Sequence, residues 1–183
     1  KEKKSLNLIR LGTSGALQSN IDIDTFLASS FGLGFDNLAH FYNNKTVLEK
    51  EMGTEYLKHS NWPQNLSEPY FVKASSSLLN IFSDLKQGIT ATAPGFYGPQ
   101  GRHLRIPPSI TDLHDKMESF RFDKHQITNF EMETSALYYL GKSLGHNTLT
   151  ICAIIGNRIN QDYSKDYKKT VEKMIDLVLE RIC

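Results

Sequence analysis

The sequence has little excess charge, few cysteines and no long hydrophobic run, and each shortage removes a class of protein. Its 183 residues include 21 basic and 20 acidic side chains, a formal net charge of +1, which gives no electrostatic basis for binding nucleic acid or an anionic membrane. No apolar stretch is long enough to span a bilayer. Cys152 and Cys183 lack the spacing of metal ligands, so no metal site is predicted, and a reduced, cytoplasmic setting is expected.

The composition is that of one ordinary globular domain. Hydrophobic residues make up 39% and charged residues 22% of the chain, and this length suffices for a sizeable core. The chain begins with Lys1 and reaches an apolar segment within a few residues, so we expect its native beginning to be absent. No internal repeat divides residues 1–183.

Strand and helix patterns alternate along the chain, which predicts an α/β domain. Residues 148–155 form a nearly continuous apolar run, as in a strand buried on both faces. The last helix is predicted to be capped by Ser164 and to bury one apolar stripe. The other predicted strands are 6–11, 24–30, 70–73, 87–93 and 127–130. The other predicted helices are part of 46–59, and 75–85, 111–120 and 136–144.

Glu131 and Glu133 stand where a predicted strand gives way to a predicted helix. Residues up to Glu131 look extended, while the apolar residues from Ala136 to Leu144 recur at three- and four-residue steps. Ligands usually bind at such strand ends, and a carboxylate accepts hydrogen bonds from vicinal hydroxyls such as those of a sugar. A glutamate favoured by the helix dipole would give the same pattern, so both interpretations stay open.

The segment Gly12–Gly15 places two hydroxyl residues between two glycines after the first predicted strand. We predict a tight turn there, whose backbone N–H groups converge on an anion beside the Arg10 guanidinium. Because the segment lacks the lysine and the spacing of a P-loop, a plain strand-to-loop turn fits as well as a phosphate site.

A loop rich in proline and glycine, residues 94–102, carries Phe96, Gln100 and Arg102. The amide and guanidinium match the edge of a planar ring that presents acceptor, N–H and acceptor, although a stiff surface loop fits equally well. Polar clusters follow four predicted strands in all, the last at Asn157 and Arg158. Their convergence on one rim of the sheet would mark a single site.

In this combination the sequence resembles the nucleoside phosphorylase family, and within it the uridine phosphorylases. The resemblance rests on four segments in the family's order, 10–18, 96–102, 129–133 and 157–158. It implies one α/β domain with a central mixed sheet flanked by helices, in which residues 1–183 are the C-terminal two-thirds and the N-terminal portion is absent. By resemblance, phosphate binds at Arg10, Thr13 and Ser14, the base at Phe96, Gln100, Arg102 and Arg158, and ribose at Glu131, Met132 and Glu133.

The resemblance also implies a reaction, in which uridine and phosphate give uracil and ribose 1-phosphate. Arg10, Gln100, Arg102 and Glu133 would be the catalytic residues and would line one pocket. Inorganic phosphate is then a co-substrate and no cofactor is needed. A dimer or hexamer of identical chains is expected, with no nucleic acid or membrane partner.

Two positions bear on the substrate. Purine-cleaving relatives use an aspartate to protonate the base where this chain has Asn157, a poor acid, and this favours a pyrimidine. Uridine phosphorylases usually have glutamate where this loop has Gly101, so the resemblance leaves open which pyrimidine nucleoside is the substrate. The alternatives are a purine nucleoside phosphorylase or nucleosidase of the same fold, and a non-catalytic nucleoside-binding relative or inactive fragment.

Overall fold

The computed structural model describes residues 4–182, which form eight strands and five helices. Two short 3-10 turns, Leu38–Phe41 and Gly98–Gln100, lie in the connections. The strands are β1 (Asn7–Ala16), β2 (Phe26–Gly34), β3 (Tyr70–Lys73), β4 (Lys86–Thr92), β5 (Arg121–Phe122), β6 (His125–Glu131), β7 (Asn147–Asn157) and β8 (Asp162–Tyr163). The helices are α1 (Lys50–Ser60), α2 (Ser76–Ile81), α3 (Leu113–Ser119), α4 (Thr134–Ser143) and α5 (Tyr167–Ile182).

The strands form a mixed sheet that closes on itself. Neighbours pair in the order β3-β2-β4-β6-β1-β7-β8, and β2 also pairs with β7. The pairs β1–β7, β2–β4 and β4–β6 are parallel, whereas β1–β6 and β2–β7 are antiparallel. The predicted α/β fold with a central mixed sheet is therefore confirmed.

Helices cover this sheet through two hydrophobic clusters. One contains Tyr56 of α1 and Met117 of α3, and the other contains Tyr138 of α4 and Met174 of α5, all of them fully buried. Met174 and Val178 lie one turn apart on the buried stripe of α5. Within residues 4–182, none of the helices combines the length and apolar composition needed to cross a membrane.

The predicted turn at Gly12–Gly15 is wrong, because this segment continues β1. The strand pairs with β7 along its whole length, with a register shift after Ser14. A Cβ atom at Gly12 would collide with the Arg10 guanidinium, so a larger residue there would require the end of the Arg10 side chain to shift. The backbone of this segment therefore pairs within the sheet. The Arg10 side chain lies over Gly12, where the predicted turn was expected to bind an anion.

The predicted Ser164 cap of α5 is also wrong. Ser164 Oγ donates a hydrogen bond to Asp24 Oδ1 at 2.6 Å, and Asp166 Oδ1 instead accepts from the Lys169 N–H at 3.3 Å in the first turn of the helix. Ser164 and Asp166 both precede the helix and either could cap it. Asp24, which is distant in sequence, binds the Ser164 hydroxyl, so Asp166 is the residue that accepts from the first turn. The helix predicted over 75–85 also ends early, at Ile81.

Candidate active site

The ends of β1, β6 and β7 and the loop after β4 enclose a cavity of about 400 Å³. Every residue that the sequence predicted for phosphate, base or ribose lines this cavity. The structure thus brings the polar clusters to one place, as their convergence on one rim predicted, while the individual roles remain predictions.

Three predicted phosphate residues, Arg10, Thr13 and Ser14, lie on β1. The Ser14 hydroxyl is buried and accepts a hydrogen bond from Asn129 Nδ2 of β6 at 2.9 Å. Because β1 continues as a strand through these residues, pairing with β7 along its length and with β6 at Gly15 and Ala16, the predicted turn that would gather N–H groups around an anion does not form.

Arg10 lies between the two glutamates of the predicted ribose cluster. It forms an ion pair with Glu133, and its Nη1 atom lies 3.3 Å from Glu131 Oε2 without the alignment of a hydrogen bond. Burial is the largest influence on the pKa of Arg10 and lowers it, but Glu131, Cys152 and Glu133 together outweigh burial, so the pKa lies above the ordinary value. A charged guanidinium with a donor to spare is suited to an anionic ligand.

Glu131 is a buried carboxylate with four hydrogen bonds to its own protein. Its side chain is 2% exposed, and its oxygens accept from the backbone N–H groups of Glu133 and Thr134 at 2.9–3.1 Å. Thr92 Oγ1 of β4 donates to it at 2.6 Å. Glu131 therefore accepts hydrogen bonds from the first N–H groups of α4, which agrees with the interpretation of this glutamate as one favoured at the start of a helix. Its contact with a ribose remains a prediction.

Glu133 and Met132 face outward from the same corner. The Glu133 side chain is 57% exposed and accepts from Arg10, so its carboxylate can reach the hydroxyls of a ligand. Met132 is partly exposed at the cavity wall. Two glutamates with one residue between them thus have different surroundings, one holding a helix and the other facing the cavity.

At the other end of the cavity, two arginines converge on one amide. Gln100 is 2% exposed, and its Oε1 accepts from Arg102 Nη1 at 2.7 Å and from Arg158 Nη2. The Arg102 guanidinium also covers the Phe96 ring, 3.7 Å from its centroid. A loop and the end of β7 therefore supply the base cluster together.

These arginines keep their charge without a carboxylate. Burial and the charge of Arg102 lower the pKa of Arg158 to about 10, and burial lowers the pKa of Arg102 as well. Within residues 4–182, neither guanidinium forms an ion pair. Two uncompensated positive charges beside one amide favour a ligand that carries or develops negative charge.

Asn157, the predicted poor acid, is held entirely by backbone groups. Its Nδ2 donates to the carbonyls of Gln18 and Ile21 at 3.0 and 2.8 Å, and its Oδ1 accepts from the N–H groups of Ile159 and Asn160 at 2.9 and 3.0 Å. The amide is buried and has no proton to give to a ligand without breaking these bonds.

Sequence reasoning missed three residues near the base cluster. Tyr163 lines the cavity from β8, a segment predicted to be loop, and Phe130 lies 5.3 Å from the Arg158 guanidinium. His114 on α3 contacts the main chain of Gln100. Phe130 is adjacent to the predicted glutamates, which was a usable signal, whereas only the tertiary fold brings Tyr163 and His114 to the site.

Gly101 occupies a position that a side chain would strain. Its φ is +70°, and a Cβ atom would lie 2.9 Å from His114 Nε2. We expect Gly101→Ala to lower the free energy of unfolding by roughly 1–2 kcal/mol, measured by chemical denaturation. Gly98→Ala in the same loop is the matched control, because its Cβ would meet nothing within 4 Å. Equal losses in the two variants would contradict this account.

Comparisons with known proteins agree with the predicted family and fold. The sequence model described as "Phosphorylase superfamily" matches residues 3–183. The chain is 27% identical over 164 residues to a uridine phosphorylase of Thermococcus kodakarensis, covering 88% of this chain and 52% of that one. It is 24% identical over 177 residues to a DeoD-type purine nucleoside phosphorylase of Clostridium novyi, covering 95% of this chain and 63% of that one.

A solved structure supports the same architecture. The Trypanosoma brucei nucleoside phosphorylase, whose crystal structure is described as showing uridine phosphorylase activity, matches with a TM-score of 0.85 and 22% identity. The match covers 96% of this chain and 63% of that chain. The likeness shows the shared fold, and the chain spans between about half and just under two thirds of the length of these relatives.

Proposed function

Because this chain belongs to the phosphorylase superfamily, we propose that the whole protein cleaves a pyrimidine nucleoside with phosphate, converting uridine to uracil and ribose 1-phosphate. One observation carries the proposal: a single cavity has an amide between two arginines at one end and an arginine–glutamate pair at the other. These ends suit a planar base and a phosphate, with the sugar between them.

The proposed chemistry needs a site that stabilises negative charge on a leaving base. The bond between C1′ and N1 breaks, a bond forms between C1′ and a phosphate oxygen, and the base departs with the electron pair. Uracil delocalises this charge, so a strong acid is unnecessary. Arg102 and Gln100 face the base and stabilise the charge where it develops, with Arg158 behind them and the Phe96 ring against the base face.

At the other end, orientation accounts for the remaining rate enhancement. Arg10 positions the phosphate together with Thr13 and Ser14, and Glu133 holds the ribose hydroxyls above it. The reaction then proceeds without a covalent intermediate, a cofactor or a metal ion. From the family membership we also propose that the whole protein is a homo-oligomer, a dimer or a hexamer, in the cytoplasm. Residues of the whole protein outside 1–183 would complete the phosphate site.

Asn157 supports a pyrimidine over a purine. Protonation of a purine requires an acid beside the base, and this amide is fully engaged with backbone groups. The similarity to a purine nucleoside phosphorylase makes purine cleavage the second candidate.

The proposal predicts that the whole protein releases uracil from uridine only when phosphate is present. The measurement is uracil release with and without phosphate, repeated with inosine and adenosine, on the whole protein and on residues 1–183. Release from purine nucleosides alone would replace uridine with the purine alternative. Release without phosphate would indicate a nucleosidase, and binding without any turnover would indicate a non-catalytic relative.

A further inference from the structure

His114 lies behind the base cluster, at the second residue of α3. Its Nε2 atom is 2.7 Å from the main-chain oxygen of Gln100 and 3.1 Å from Arg158 Nη1. Arg158 Nη1 is also 3.1 Å from the same oxygen. An imidazole from one element and a guanidinium from another thus meet at one carbonyl of the base loop.

Hydrogen-bond accounting settles which atoms donate in this group. A guanidinium offers only donors, and the carbonyl oxygen has two lone pairs. If Nε2 accepted from Arg158, it would face the carbonyl at 2.7 Å without a proton between them. The arrangement is consistent when the Nε2–H group and Arg158 both donate to the Gln100 oxygen, which places the second nitrogen, Nδ1, without the proton in the neutral ring.

We propose that His114 is a positioning residue for the base, which holds the Gln100 backbone so that the Gln100 amide and Arg158 stay aligned. The inference rests on the proposed function. His114 acts through Gln100 and Arg158 and does not itself contact the substrate. The proposal also explains the Gly101 position, since the imidazole fills the space that a side chain there would need.

The surrounding charges favour the neutral form of His114. Burial has the largest effect and lowers the pKa of the imidazole below its ordinary value; Arg158 and Arg102 lower it further, against the opposing effects of the Gln100 carbonyl and Asp115. The facing charged groups are therefore Arg158 from the end of β7, Arg102 from the base loop and Asp115 from α3 itself. Protonation would place a third cation against Arg158 and push it away from Gln100.

The test compares His114→Leu with His114→Gln in the whole protein. Leucine removes the donor, whereas the glutamine amide can reach the same carbonyl and does not titrate. We expect His114→Leu to raise the KM for uridine about 10-fold, because the carbonyl loses a buried partner, and to leave the KM for phosphate unchanged. We expect His114→Gln to restore the uridine KM to within about threefold of the native value.

A second histidine supplies the control. His59 Nε2 lies 3.0 Å from the main-chain oxygen of Lys116 on the same helix, and it is exposed and outside the cavity. His59→Leu removes a comparable contact to α3, and we expect both KM values to stay at the native level. A rise in the uridine KM of this control would overturn the inference, because it would show a general effect of loosening the helix.

The pH profile distinguishes positioning from packing. As the pH falls below the ordinary range of histidine, the kcat/KM of the native protein should fall relative to that of His114→Gln, which has no proton to gain. Parallel profiles, or equal rises in the uridine and phosphate KM values of His114→Leu, overturn the inference and leave the proposed function standing. A native protein without phosphorolysis overturns the proposed function, and the inference with it.

Discussion

Replacing Arg102 by alanine is expected to lower kcat/KM for uridine phosphorolysis by a factor of about 100 to 1,000, the loss typical of removing one donor to a developing anion. Arg102 contributes more than charge. It donates to Gln100 Oε1 at 2.7 Å and to the Phe96 carbonyl, and its guanidinium covers the Phe96 ring. The substitution therefore removes a charge and releases two neighbours that would touch the base.

The matched control for this prediction is Arg105→Ala, which removes an exposed arginine three residues further along the chain and outside the cavity. We expect less than a twofold change in kcat/KM for Arg105→Ala, because the screened surface charge lies away from the base. Arg102→Lys should recover only part of the loss, since an ammonium lacks the planar pair of donors. Equal activities of the two alanine variants would remove Arg102 from the proposed mechanism.

The second large effect is on stability. Glu131→Ala is expected to lower the free energy of unfolding by roughly 2–4 kcal/mol, because it leaves the N–H groups of Glu133 and Thr134 and the Thr92 hydroxyl without their acceptor in a buried place. Urea denaturation monitored by circular dichroism gives the value directly. The helix affected, α4, packs its Tyr138 into one of the two hydrophobic clusters, so the loss extends beyond one cap.

Glu133→Ala provides the comparison, two residues away and with the same change in atoms. Its carboxylate is largely exposed, so we expect a change in unfolding free energy within about 0.5 kcal/mol. The same variant should weaken nucleoside binding in the whole protein. If the two variants lost equal stability, Glu131 would not be the structural member of the pair.

Local sequence patterns were enough to predict the α/β class and most of the strands and helices. The continuous apolar run at 148–155 predicted a strand buried on both faces, and β7 is such a strand. Burial on both faces requires apolar residues at successive positions, and this pattern is visible in the sequence. The family resemblance, which the superfamily match confirms, rested on motifs of the same local kind. The predicted turn at Gly12–Gly15 was wrong because two glycines were taken as a sign of a turn, whereas both lie within β1. At Gly12 the missing side chain leaves room for the Arg10 guanidinium.

The site was predictable to the extent that its residues are close in sequence. Gln100 and Arg102 occupy one loop, and Glu131 and Glu133 one strand end, so their residue types and the family resemblance pointed to each pair, whose roles remain predictions. The contacts that each pair makes with other residues could not be predicted, because they depend on how separate strands, helices and loops pack together. His114 illustrates this limit: nothing in the sequence around it differs from an ordinary amphipathic helix, and only the packing of α3 against the base loop brings it to Gln100.

Arg10 joins two parts of the cavity that the proposed reaction gives to different substrates. It extends from the strand assigned to phosphate, yet it pairs with the glutamate assigned to the sugar. In the proposed reaction, phosphate would bind Arg10 and the ribose would bind Glu133, so each substrate would change the charge that the other meets at the same ion pair. The two binding free energies are therefore coupled, and by thermodynamic reciprocity phosphate changes the affinity for nucleoside by the same factor as nucleoside changes the affinity for phosphate.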